Sequence, residues 1–288
     1  MKVVTFSIQE DKHIGVVQGE KIISLTALNA EKFPPCMKTF IEGSDNLRNE
    51  AEELIEQQQD DEKTVFPLSD VNILPPITQP EKIICVGLNY IDHCKETGME
   101  PPASPVIFSK YANAIIGHND AVEIPVNSNE VDFEAELVVV IGKEAKRVSE
   151  EEANDHVFGY TIMNDVSARD LQFADGQWSR GKTADTFAPI GPVIVTHDEV
   201  GDPHQLAISL ELNGEIMQDS NTSNLIFTVP QIISFLSQSM TLKPGDLIAT
   251  GTPPGVGMGR NPKVWLKNGD KMNIKIEKIG TLTNHVHG

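Results

Sequence analysis

The chain has 288 residues, 39% hydrophobic and 23% charged, enough to bury a sizeable core in one large domain or two small ones. Its 23 Lys+Arg against 42 Asp+Glu leave a net charge of -19, which repels phosphate backbones and anionic lipid. Nucleic acid and membrane are thus excluded as main partners and a small-molecule substrate is favoured. Cys36, Cys85 and Cys94 have neither disulfide nor zinc spacing, residues 1–13 lack the apolar stretch of a signal peptide, and no 18-residue apolar run occurs, so a reduced, cytoplasmic chain is expected.

Apolar runs at Val3 to Ile8, Ile14 to Val17 and Ile22 to Leu25, separated by charged turns, predict a short meander. A Glu-, Gln- and Leu-rich stretch from about Asn46 to Gln59 predicts an exposed helix. Pro75-Pro76 and Pro80 then stiffen a connector, and a boundary is placed there: a small N-terminal α+β domain over 1–75 and a single large domain over 76–288. Past it, Lys82 to Gly87 reads as a buried strand and Asn89 to Glu96 as a turn entering a helix. There His93 and Glu96, three apart, are neighbours, so the carboxylate can orient the imidazole as in general-base catalysis. A surface pair at this spacing also arises by chance.

The run Val131 to Lys143 carries two carboxylates inside a segment otherwise built for burial. In a strand Glu134 and Glu136 share a face, roughly 7 Å apart at about 3.3 Å per residue, opposite Phe133, Ala135 and Leu137. Two buried like charges are costly unless a cation sits between them; an edge strand with a solvated glutamate face is the alternative. Phe158 to Asp165 is a further strand ending in an acid, so Asp165 is the candidate third ligand. Three carboxylates make an all-oxygen site suited to Mg²⁺ or Mn²⁺, and also to Ca²⁺. Gly176 to Thr183 matches the P-loop expression letter for letter, but no buried strand precedes it and Pro189 and Pro192 follow where a helix should run. The glycines of Gly251 to Gly259 make a turn-rich loop rather than a dinucleotide site, because Asn261-Pro262 comes next. Asn213-Gly214 predicts a hairpin within Leu206 to Met217, and Thr228-Val229-Pro230 opens a helix through about Met240. Asp246 to Thr250 and Met272 to Ile276 are strands. The class is mixed α+β and strand-dominated, without the regular alternation of a parallel α/β fold.

Six segments in order, VGLNYIDHCKE, PVIFSK, DFEAELVVVIGK, VFGYTIMNDVSARDLQ, GQWSRGKTADTFAPIGP and PGDLIATGTPPGVG, resemble the fumarylacetoacetate hydrolase family over roughly residues 80 to 285. The resemblance implies a mixed β-sandwich roll, a homodimer, and a divalent metal on Glu134, Glu136 and Asp165. It makes His93 and Glu96 a catalytic dyad and Lys182 the active-site lysine, and puts Arg169, Gln172 and Thr252 at substrate-contacting positions. The reaction it implies is hydrolysis of a carbon–carbon bond in 2,4-dioxo acids, acylpyruvates such as fumarylpyruvate, with His93 activating water and Lys182 and the metal stabilising the expelled enolate. Members also decarboxylate oxaloacetate, or hydrate and isomerise unsaturated 2-keto acids. A non-catalytic metal- or nucleotide-binding protein is the remaining alternative.

Overall fold

The β-branched run Ala135–Ile141 is a strand with all seven residues buried. It lies inside a twelve-stranded sheet among the residues that the computed structural model describes, 1–58 and 61–288, with Ser44 described by its backbone alone. Antiparallel neighbours Val157–Asn164 and Leu247–Ala249 pair its two edges, and both faces are buried, which is why this strand tolerates the apolar run of residues 137–141. Ala135 stands opposite Asn164, so the chain leaving one strand meets the chain entering the other, and the Asp165 N–H donates to the Glu134 carbonyl at 2.9 Å. That pairing register brings the third acid to the two glutamates.

From one edge, the sheet runs Val65–Pro67, Lys21–Ser24, Asp11–Gln18, Lys2–Ile8, Ala188–Thr196, Val157–Asn164, Ala135–Ile141, Leu247–Ala249, Ile83–Gly87 and Val106–Lys110. The predicted meander is present, and its first strand pairs with Ala188–Thr196, Val3 facing Ile194. A five-stranded sheet, Glu215–Asn221, Ala207–Leu212, Lys271–Ile276, Gly280–His287 and Ala121–Glu123, packs on the first and makes the strand-rich sandwich. Between the layers Ile208, Leu210, Ile274, Ile276 and Leu282 are at most 1% exposed, each stabilising by roughly 1.5–3 kcal/mol.

Local signals explain several elements. Asn213 and Gly214 take φ of +53° and +87°, the left-handed pair that a two-residue hairpin turn requires. The helix Val229–Ser239 starts where predicted, with the Gln231 side chain accepting from the Thr228 N–H at 3.0 Å. The earlier helix spans Ser44–Gln57; its predicted end at Gln59 lies outside the described residues. Sequence reasoning did not find the nine-residue strand Ala188–Thr196, because Pro189 and Pro192 argue against a central strand. The ladder is irregular there: Gly191 faces Ile162 and Val195 faces Tyr160, so Pro192 falls where the sheet already lacks regular pairing.

Candidate active site

At the end of the glutamate strand four carboxylates and three cations are buried together. Lys182, in the short helix Ser179–Lys182, puts its Nζ 2.7 Å from Glu134 Oε2 and 2.9 Å from Asp165 Oδ2. Arg169 donates from Nη2 to Glu134 Oε1 at 2.6 Å, from Nε to Asp132 Oδ2 at 2.9 Å and from Nη1 to Gln172 Oε1 at 2.9 Å. Burial alone would raise the Glu134 carboxyl, but the Lys182 and Arg169 charges outweigh it and hold the group well below the usual carboxylate range. Among the described residues Glu136 has no such salt-bridge partner. It accepts the Gly251 N–H at 2.9 Å, and burial together with the Asp165 and Glu134 charges pushes it well above the ordinary range.

The third cation is Lys110, a residue sequence reasoning left without a role. Its ammonium donates to the carbonyls of Val166, Lys182 and Phe187 at 3.0, 2.7 and 2.7 Å, which commits all three protons. It also lies 2.7 Å from Asp165 Oδ1 as an ion pair, so that oxygen is buried yet accepts no hydrogen bond. Asp132 was missed as well, though it shares the period-two face of Glu134 and Glu136. It is fully buried and accepts from the Gly257 and Met258 N–H groups at 2.7 and 3.1 Å. Gln218, also fully buried, accepts the Ala135 N–H at 2.9 Å and donates to Thr252 Oγ1 at 2.8 Å; no local pattern marks it.

The predicted dyad is in place on the helix Ile91–Thr97. His93 Nδ1 is 3.1 Å from Glu96 Oε2, and Glu96 Oε1 accepts the Gly255 N–H at 2.8 Å. Glu96 is thus held between the imidazole and the glycine loop. His93, Glu134, Arg169, Gln172, Lys182 and Thr252 line one pocket, whose sides are closed by Leu88, Met99, Phe173, Trp178 and Met258. Glu136 and Asp165 are buried and do not line the pocket. Six of the nine predicted site residues therefore meet at one opening, and Lys182 of the P-loop-like string faces carboxylates rather than a phosphate cradle.

Glu134, Glu136 and Asp165 each offer an oxygen within 4.8 Å of the others. Oxygens at about 2.0–2.3 Å from a single ion stand up to roughly 4–4.6 Å apart, so a small closure suits a hard divalent cation. Asp165 Oδ1, which accepts no hydrogen bond beside its ion pair with Lys110, and the poorly compensated Glu136 are the features such an ion would satisfy. The residues fit Mg²⁺ or Mn²⁺.

The profile described as Fumarylacetoacetate (FAA) hydrolase C-terminal matches residues 82–287. "Oxaloacetate tautomerase fahd2, mitochondrial" of Xenopus laevis is 45% identical over 271 residues, 93% of this chain and 83% of the relative. A solved fumarylacetoacetate hydrolase of Exiguobacterium antarcticum aligns with a TM-score of 0.87 and 36% identity, covering 100% of this chain and 99% of that one. Maleylpyruvate hydrolase of Sphingobium sp. SYK-6, solved with manganese(II) and pyruvate, aligns at 0.83 and 33% over 100% and 99%. The expected cytoplasmic location does not stand, since the Xenopus relative and five further vertebrate ones carry "mitochondrial" in their names. Three free cysteines show that no disulfide is needed; they carry no address. No described helix is long and apolar enough to cross a membrane.

Proposed function

The chain belongs to the fumarylacetoacetate hydrolase family, and from that premise we propose that it moves a proton on a 2-oxo acid, interconverting keto and enol forms of oxaloacetate or a close analogue. The observation that carries this reading is the shared pocket, lined by His93, whose Nδ1 Glu96 holds, together with Glu134 and Lys182. Carbon acids next to a 2-oxo group need a base at carbon and positive charge at oxygen, and both are supplied. Glu134, Glu136 and Asp165 would hold a divalent cation, which would supply Lewis-acid polarisation of the 2-oxo group. His93, with Nδ1 held by Glu96, presents Nε2 to the substrate, takes the C3 proton and, as the imidazolium, returns it to the 2-oxygen to give the enol. Glu96 stabilises the imidazolium that forms. Lys182 turns its ammonium to the oxygen where charge develops, and Thr252, fixed by Gln218, presents its hydroxyl beside it.

Acylpyruvate hydrolysis, the main expectation from sequence, gives way here because six curated relatives at 43–45% identity are named for oxaloacetate tautomerisation. The likeness to maleylpyruvate hydrolase keeps it as the second reading, since the same His93 can deprotonate water instead of carbon. Side-by-side assays with Mn²⁺ separate them: decay of enol-oxaloacetate absorbance, pyruvate release from oxaloacetate, and cleavage of acetylpyruvate. Tautomerisation is expected to be the fastest by orders of magnitude; acetylpyruvate cleavage exceeding it overturns the reading.

A further inference from the structure

The loop Gly251 to Gly259 holds glycines for different reasons. At Gly255, φ is +106° and a Cβ would run into the Met217 carbonyl; at Gly257 a Cβ would run into the Val264 carbonyl. Both clashes are with backbone, so those glycines serve the fold. Gly259 is unlike them. It is solvent-exposed and lies outside the left-handed region, so its own backbone tolerates alanine. Yet a Cβ there would stand 2.5 Å from Glu96 Cδ and 2.7 Å from Glu96 Cγ and Oε1, and those three atoms are its nearest neighbours.

We infer that Gly259 is a positioning residue for catalysis: the missing side chain leaves the space in which the Glu96 carboxylate sits while it holds His93. This rests on the dyad reading above. The loop cannot retreat to make room, because Asp132 accepts the Gly257 and Met258 N–H groups on one side and the Val264 N–H binds the Gly257 carbonyl at 3.0 Å on the other. What yields to a methyl group is the flexible end of Glu96. Its carboxylate then loses either the 3.1 Å contact to His93 Nδ1 or the 2.8 Å contact to the Gly255 N–H. An imidazole without its orienter presents the wrong tautomer or the wrong angle, and such a loss appears in kcat rather than in KM.

The test is a double-mutant cycle on the full chain with G259A, E96A and the double variant. Each is assayed for kcat and KM on oxaloacetate, for Mn²⁺ affinity by calorimetry, and for Tm. G259A is expected to lower kcat at least about tenfold, a part of the roughly 10²–10⁴-fold that a positioned base contributes, with KM and Mn²⁺ affinity unchanged. In the E96A background G259A is expected to have no further effect, because the atoms it displaces are gone. Losses that multiply overturn the inference, as does a G259A enzyme with wild-type kcat beside an impaired E96A. If E96A itself keeps full activity, the dyad reading fails and the inference with it. If G259A lowers Tm, the double variant decides: a recovered Tm supports the contact with Glu96, and an equal loss points to the backbone and refutes it.

Discussion

Replacing Lys182 by methionine removes a cation that is 2% exposed and lies 2.7 and 2.9 Å from two carboxylates, while keeping most of its volume. Burial disfavours its charge, and the Asp165 and Glu134 carboxylates outweigh that, so the ammonium is held firmly protonated. Taking one partner out of a buried ion pair typically costs about 3–5 kcal/mol, and the lower end applies here because Arg169 stays beside Glu134 and Lys110 beside Asp165. For a chain of this size that is a fall in Tm on the order of 10 °C. Unfolding is followed by circular dichroism in EDTA and then in excess Mn²⁺. The ion is expected to return much of the loss, since a ligand at a hundred times its Kd stabilises by about 2.7 kcal/mol and the lysine no longer competes for Glu134 and Asp165 oxygens. Mn²⁺ should therefore raise the Tm of Lys182→Met at least as much as that of wild type, while turnover collapses. A variant as stable as wild type in EDTA, or one that Mn²⁺ leaves unmoved, would refute the charge reasoning.

Two further outcomes concern a metal ligand and three half-buried histidines. Glu136→Ala is expected to abolish Mn²⁺ binding in calorimetry, because Glu136 is the triad member without a cationic partner in hydrogen-bond reach and an ion is what satisfies it; full affinity would remove it from the ligand set. His13, His118 and His197 are each held below the ordinary value of 6.5, chiefly by burial, with nearby aspartates opposing. The unfolded chain binds those protons first, so stability is expected to fall as pH drops below about 6.5, and Tm measured from pH 8 to 5.5 should show it. His197 accepts from or donates to the Tyr160 hydroxyl at 2.9 Å, and His197→Gln should shallow the slope; an unchanged slope would place the effect on the other two.

Much of the site was legible because its residues obey local periods. Glu134 and Glu136 share a face by strand alternation, and His93 and Glu96 share one by helical spacing. Asp165 could be proposed because it ends a strand, but its approach to Glu134 depends on a pairing register that sequence alone does not specify. Lys110 and Gln218 escaped for the same reason: their partners lie 34 to 83 residues away, and an isolated lysine or glutamine gives no pattern. Asp132 was available, one period ahead of Glu134, and was passed over. Among the larger elements, the hairpin and the capped helix announced themselves through Asn213-Gly214 and Thr228. The strand Ala188–Thr196 was hidden by prolines that a ladder irregularity accommodates.

The proton transfer itself gives the most direct test. Exchange of the C3 hydrogens of oxaloacetate in D₂O with Mn²⁺, followed by proton NMR above the uncatalysed rate, should be fast with wild type. With His93→Ala it should fall by roughly 10²–10⁴ while Mn²⁺ affinity stays unchanged. Wild type that leaves the background exchange rate unaltered, or His93→Ala that exchanges as fast as wild type, would contradict a base at His93 acting on carbon.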